Sequence, residues 1–294
     1  MEWRQFVMNL ESIDPDRLEG VLLESGAQSI TLTDAGDAPV LEPGPGETPL
    51  WPDTRVTALF SPDTDFEQVA IDIRRNLGLE RTPSYSVEAL ADRAWEREWM
   101  DRFGPMRFGR RLWIVPGEGP APDPEAVIVR LDPGLAFGTG THETTALCLE
   151  WLDTANLPGS SVFDFGCGSG ILGIAALKLG AVSVDAMDID LQAVTATRQN
   201  ARRNGVLEAL NVSTELPPAS RQYDVVLANI LAGTLIENAA LITDWARSGG
   251  QIVLAGLLTD QSDDVIREFA DRVEFDPPVA RGDWVRLSGT RKER

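Results

Sequence analysis

The run Val162-Phe-Asp-Phe-Gly-Cys-Gly-Ser-Gly-Ile171, followed by Met187-Asp-Ile-Asp190, decides the fold. An apolar strand enters a turn carrying Gly166, Gly168 and Gly170, a helix begins near Gly170, and a second strand ends in carboxylates. Missing side chains let the backbone amides of such a turn approach a ligand, and the helix adds its own free N–H groups. Asp188 follows Gly166 by 22 residues, which is one helix plus one strand. That spacing brings it to the carboxyl edge of a parallel sheet beside the turn, where its two oxygens suit the hydroxyls of a ribose. Asp190 is either a second ribose partner or a cap for the helix starting at Leu191. Asp164, at the end of the strand, would repel a pyrophosphate and suits a cationic or amine-bearing cofactor. Gly166 and Gly168 are therefore candidate cofactor residues together with Asp164 and Asp188; a tight turn with no ligand is the plain structural alternative.

Outward from this unit the chain alternates strand and helix. Helices are expected over 143–153, 170–179, 190–203, 233–247 and 260–270, and strands over 161–165, 182–187, 223–228, 250–255, 272–276 and 283–289. Repeats of this length predict a mostly parallel, doubly wound α/β sheet. The short 276–282 connection requires the last two strands to form an antiparallel pair at one edge, giving the sheet an antiparallel edge strand. Before residue 92 the order is strand 3–10, helix 14–25, strand 29–33, strand 55–60, helix 66–77 and strand 84–90, that of a small ferredoxin-like α+β domain. Residues 92–124, with Trp95 and Trp99 four apart on an expected helix and a strand over 108–115, read as a connector packing on both neighbours. The domain division is thus 1–91, 92–124 and 125–294.

The 294 residues are 43% hydrophobic without a membrane-length apolar run, and the first residues lack a signal peptide's pattern. A soluble, cytoplasmic, monomeric protein is expected. Two cysteines without a CxxC pairing and a single histidine disfavour a metal centre, a disulfide framework and a histidine triad. The net charge of -20 argues against direct nucleic-acid recognition and favours a basic partner. Residues 1–100 carry 20 Asp and Glu against 8 Arg and no Lys, so the excess concentrates there. Those carboxylates serve docking or simply solvation.

Asn229 ends the apolar strand Asp224-Val-Val-Leu-Ala-Asn229, at the edge where ligands sit in such sheets. Its amide oxygen can accept from a substrate amine without protonation competing, which makes it a candidate catalytic residue; capping the next helix is the alternative. In the segment Leu131-Asp-Pro-Gly-Leu-Ala-Phe-Gly-Thr-Gly-Thr-His-Glu-Thr-Thr145, Phe137, Gly138 and Thr139 are candidates to fold over an adenosine, with Thr145 donating a hydrogen bond. His142 is either a structural histidine or an acceptor for a proton leaving an ammonium.

These residues, with Glu96-Arg-Glu-Trp-Met100 and Met106-Arg-Phe-Gly109, resemble in order the motifs of the ribosomal protein L11 methyltransferase family, over nearly the full length. The resemblance implies a class I S-adenosylmethionine-dependent methyltransferase, with a mostly parallel, seven-stranded Rossmann-like sheet and an amino-terminal domain recognising the ribosomal protein. It implies lysine side chains and an α-amino terminus as acceptors. Thr145, Gly166, Asp188 and Asn229 match cofactor-contacting positions, with Ile189 beside them. The sequence departs from the family pattern at Glu143 and Thr234, where proline is usual; both fall at helix starts, where proline is replaceable. The competing classes are an NAD-dependent oxidoreductase, which the glycine turn and Asp188 would equally serve, and a non-catalytic module docking a basic protein.

Overall fold

The computed structural model describes residues 3–36, 50–90, 104–117, 119, 123, 125–131, 142–218 and 220–293. The chain divides into two compact units, Met1–Trp95 and Glu96–Arg294. The expected helix over 92–101, with its two tryptophans, lies outside the described residues, as do Phe137, Gly138 and Thr139.

In the first unit, β1 (Trp3–Asn9), α1 (Pro15–Glu24), β2 (Ser29–Asp34), β3 (Thr54–Phe60), α2 (Phe66–Leu77) and β4 (Tyr85–Leu90) follow the order read from the sequence. The antiparallel sheet runs β2-β3-β1-β4. Alternation decides its buried face: Phe6 and Met8 of β1 and Val56, Ala58 and Phe60 of β3 pack with Leu18, Leu22, Val69 and Ile73 of the helices. Asp14 caps α1 by accepting from the Arg17 N–H at 3.1 Å, and Asp65 caps α2. The second helix stops at Gly78, whose φ of 70° favours a residue without Cβ.

The second unit begins with β5 (Met106–Phe108), β6 (Leu112–Pro116) and β7 (Val127–Leu131), which form a small separate sheet. The single strand expected over 108–115 is instead a hairpin, because Gly109 turns the chain at φ 71° and buried Asp153 gathers the turn's amides. Its carboxylate accepts from Arg110 N–H at 2.5 Å and Leu112 N–H at 3.1 Å. Residues 106–116 are therefore built into this unit.

After α3 (Glu143–Thr154), β8 (Ser161–Phe165), α4 (Ile171–Lys178), β9 (Ser183–Met187), α5 (Leu191–Arg203), β10 (Leu210–Ser213) and β11 (Tyr223–Asn229), the chain forms α6 (Ala232–Glu237), α7 (Ala239–Trp245) and β12 (Ala246–Leu258). It ends with α8 (Ser262–Phe269), β13 (Val273–Phe275), β14 (Val279–Arg281) and β15 (Trp284–Arg291). The large sheet runs β10-β9-β8-β11-β12-β15-β13, with β14 also pairing with β15. The first five strands are parallel, and β15 is antiparallel to β12. The expected antiparallel pair of last strands stands at this edge as β13 and β15, but the strand that runs against the rest of the sheet is β15, second from the edge, and not the edge strand itself. The edge itself is β13 and β14 in succession, interrupted at Pro277-Pro278, which have no N–H to give the ladder.

Short β10, β7 and β14 were not anticipated from the sequence. The helix expected over 233–247 is two, broken at Asn238 (φ -105°, ψ 11°), and the chain is extended from Ala246 because that buried residue pairs with Tyr223. The α3, α4 and α5 layer and the small sheet share one core around Leu149, Ile174 and Leu227, while α6, α7 and α8 cover the other face around Phe163, Val226 and Trp245. Phe163 is fully buried, and its truncation to alanine is worth about 3–5 kcal/mol.

Candidate active site

Sheet register brings the candidate residues into a row. Phe165 pairs with Met187 on one side and Ala228 on the other, so the next residues, Gly166, Asp188 and Asn229, stand side by side at the carboxyl edge. The chain leaves β8 toward β9 and β10 on one flank and returns to β11 and β12 on the other. Gly166 and Asn229 thus border the topological switch point, where open α/β sheets hold their ligands.

The turn is fixed by its backbone. Gly166, Gly168 and Gly170 have φ of 75°, 55° and 79°, which side-chain-bearing residues adopt only with strain. A Cβ at Gly166 would collide with the Ile230 side chain, and one at Gly170 would lie 2.7 Å from Thr197 Cγ2. The cradle fits a ligand that approaches main chain directly. Asp188 Oδ2 accepts from Gly168 N–H at 2.9 Å and Oδ1 from Asp190 N–H at 3.0 Å. Each oxygen keeps a second acceptor position for a ribose hydroxyl. Ile189, 87% exposed, offers an apolar surface next to it.

Two readings resolve to capping. Asp190 accepts from Gln192 N–H at 2.8 Å at the start of α5. His142 caps α3: Nδ1 accepts from Thr144 N–H at 3.4 Å and lies 2.8 Å from Thr144 Oγ1, while its ring meets Trp284 edge-on at 4.7 Å. Protonation at Nδ1 would remove the cap's acceptor, so this placement favours the structural role over proton removal.

Asp164 is 1% exposed and turned inward, where Oδ2 accepts from Gly173 N–H at 3.0 Å inside α4. It anchors the turn from below and does not face a ligand across it, in contrast to the expectation from sequence. Burial pushes its carboxyl up to about 7, with the Asp188 charge adding to the rise and the Gly173 N–H opposing it.

Asn229 does not cap the following helix, which starts at Ala232 after Leu231. Its Nδ2 donates to Thr145 Oγ1 at 3.3 Å, and Thr145 is 1% exposed on α3. With one arm of the amide held, Oδ1 is the acceptor on the other arm. Three contributors were not read from the sequence: Thr197, whose hydroxyl donates to Gly168 O at 3.0 Å; Asn200, whose amide donates to Ser169 O at 2.8 Å; and Ser213, whose carbonyl accepts from Asp188 N–H at 3.2 Å. Thr197 and Asn200 were detectable only by noting that they share the arc of α5 with buried Val194 and Ala201.

A doubly wound sheet with this turn, the carboxylate one strand over and an amide across the switch point form a cradle for a nucleoside-bearing cofactor. Residues 2–292 match the family described as Ribosomal protein L11 methyltransferase (PrmA). The chain is 50% identical over 295 residues to ribosomal protein L11 methyltransferase of Pectobacterium carotovorum subsp. carotovorum (strain PC1), covering 99% of both chains. It is 49% identical over 293 residues to that of Shewanella sediminis (strain HAW-EB3), covering 99% of this chain and all of the relative. The crystal structure of ribosomal protein L11 methylase from Lactobacillus delbrueckii subsp. bulgaricus is 33% identical with a TM-score of 0.60, over 65% of this chain and 100% of that one. The chain belongs to the ribosomal protein L11 methyltransferase family and is an enzyme, which removes the oxidoreductase and binding-only alternatives. No helix among the described residues is long and apolar enough to cross a membrane.

Proposed function

We propose that the chain transfers methyl groups from S-adenosylmethionine to lysine side-chain and amino-terminal nitrogens of ribosomal protein L11. The observation that carries this reading is the row Gly166, Asp188 and Asn229 at the switch point, with the Asn229 amide held by Thr145. When bound, the cofactor supplies a methyl carbon made electrophilic by its sulfonium. Asp188 would accept from the ribose hydroxyls, Gly166 and Gly168 would admit the ligand close to main chain, and exposed Ile189 would offer the base an apolar surface. Phe137, Gly138 and Thr139, which lie outside the described residues, would complete the set of cofactor residues.

Asn229 Oδ1 accepts from an N–H of the incoming amine and aims its lone pair; an amide does not titrate, so this orientation persists across pH. A lysine amine has a reference pKa of about 10.4 and must attack in its neutral form. Apolar surroundings in the bound complex, to which the exposed Leu231 two positions after Asn229 would contribute, lower that barrier by disfavouring the charged amine, and the proton leaves to water. Alignment supplies most of the remaining rate. Residues 1–91 recognise the substrate, with their acidity matched to a basic protein; catalysis belongs to the second unit, which includes the β5–β6 hairpin of the expected connector. The enzyme works as a cytoplasmic monomer through its protein substrate, without recognising nucleic acid itself.

Asn229→Ala tests the assignment. Turnover falls about 100-fold or more, while the Kd for S-adenosylhomocysteine, measured by titration calorimetry, stays within about threefold. Equal losses of turnover and affinity would remove Asn229 from its role.

A further inference from the structure

We propose that Thr197 and Asn200 are positioning residues for the cofactor, acting through the glycine turn. Helix α5 has an amphipathic pattern, and its buried arc would ordinarily be apolar, as Ala193, Val194 and Ala201 are. Thr197 sits on that arc at 0% exposure, and Asn200 is half-buried one turn on. Burying a hydroxyl or an amide is unfavourable unless each finds a partner. Both partners are in the turn, and they are consecutive: Thr197 Oγ1 donates to the carbonyl of Gly168 at 3.0 Å, and Asn200 Nδ2 to the carbonyl of Ser169 at 2.8 Å.

A trans peptide points its N–H opposite to its C=O, so drawing the Gly168 carbonyl onto α5 fixes the Ser169 N–H away from it. The Gly168 N–H is held separately by Asp188. The Asp188 and Thr197 bonds orient both sides of Gly168 and the Asn200 bond holds the next carbonyl, tying the turn to one stretch of chain: Asp188 lies three positions before α5, and Thr197 and Asn200 lie within it. Thr197 also occupies the space a Cβ at Gly170 would need, with its Cγ2 and Oγ1 at 2.7 and 2.9 Å. The same helix face ends at Asn204, which exchanges bonds with the Arg130 backbone in both directions, N–H to Oδ1 at 2.7 Å and Nδ2 to O at 2.8 Å. Helix α5 is therefore fixed to β7 at its C-terminal cap and holds the turn through side chains farther back along the same face. Preorganised turn amides favour ligand binding because ordering is completed before the ligand arrives.

This inference rests on the cofactor reading above. The test titrates S-adenosylhomocysteine into the full chain as wild type, Thr197→Val, Thr197→Ser and Asn200→Ala, and records the melting temperature of each protein without ligand. The expected result is a Kd raised about tenfold by Thr197→Val and about fivefold by Asn200→Ala. KM for S-adenosylmethionine rises in parallel, kcat changes less than about twofold, and Thr197→Ser restores affinity because it keeps the hydroxyl. A wild type that binds no ligand counts against the cofactor reading itself. Wild-type binding with unchanged variants overturns the positioning role. So does a lost affinity that Thr197→Ser fails to restore, or one that appears only together with an unfolded protein while Asn200→Ala, still folded, binds normally.

Discussion

The polar side chains of the two units make bonds of different reach. In the first unit, Asp14, Asp65 and Asp72 bond to groups two to four positions away along their own helices, and Arg17 to the Asn76 carbonyl is a longer exception at 3.4 Å. At the carboxyl edge of the second unit the bonds span 20 positions from Asp188 to Gly168, 29 from Thr197 to Gly168 and 84 from Asn229 to Thr145. Local, exposed bonds shape helix ends and leave carboxylates in solvent, where they act as a field. Long-range, half-buried bonds hold one geometry. A surface that recognises a partner needs the first kind of construction, and a site that aligns reacting atoms needs the second.

That contrast is open to direct attack. Asp188→Ala removes a carboxylate with two backbone partners and, on this account, two ribose hydroxyls; cofactor affinity falls about 10- to 100-fold with a smaller change in kcat, read by calorimetry and steady-state kinetics. A lesser effect belongs to Asp164. Its folded-state pKa of about 7 lies above the unfolded value, so the native state keeps a proton that the unfolded chain has released. The group's contribution to stability is greatest below about pH 4 and declines as pH rises to about 7. Denaturant titrations of wild type and Asp164→Asn across that range give a difference that shifts steadily against the wild type, on the order of a few kcal/mol at most; a pH-independent difference contradicts the buried, inward placement. The smallest effect comes from the first unit. Glu19→Gln with Glu24→Gln moves the melting temperature by less than about 2 °C. It raises KM for the protein substrate about two- to fivefold at low salt, an effect lost at high salt. An unchanged KM assigns these carboxylates to solvation.

How far these features were legible follows from the same physics. Element order in the first unit and the βα repeats came from period alone, and boundaries such as 66–77 and 161–165 agree to the residue. Strand β10, four residues long, is too short to show a period, and the break at Asn238 carries no proline or glycine to announce it. The position of β15 inside the sheet depends on pairing between distant segments, which sequence spacing does not encode. Within the site, glycine spacing and the Asp188 offset were readable because local turns and one βα unit set them. Asp164 pointed the wrong way in the sequence reading because a strand's last residues face either the edge or the interior, and the Gly173 amide that draws it inward is nine positions on. Thr197 and Asn200 looked like ordinary polar residues of a surface helix until the turn was seen against them.

The measurement that tests the central claim most directly is the mass of ribosomal protein L11 after incubation with this chain and S-adenosylmethionine, intact and then by peptide. The account predicts increments of about 14 Da per methyl, confined to lysine side-chain and amino-terminal nitrogens, and lost with Asn229→Ala. A folded substrate that gains no mass while the enzyme demonstrably binds its cofactor would contradict it.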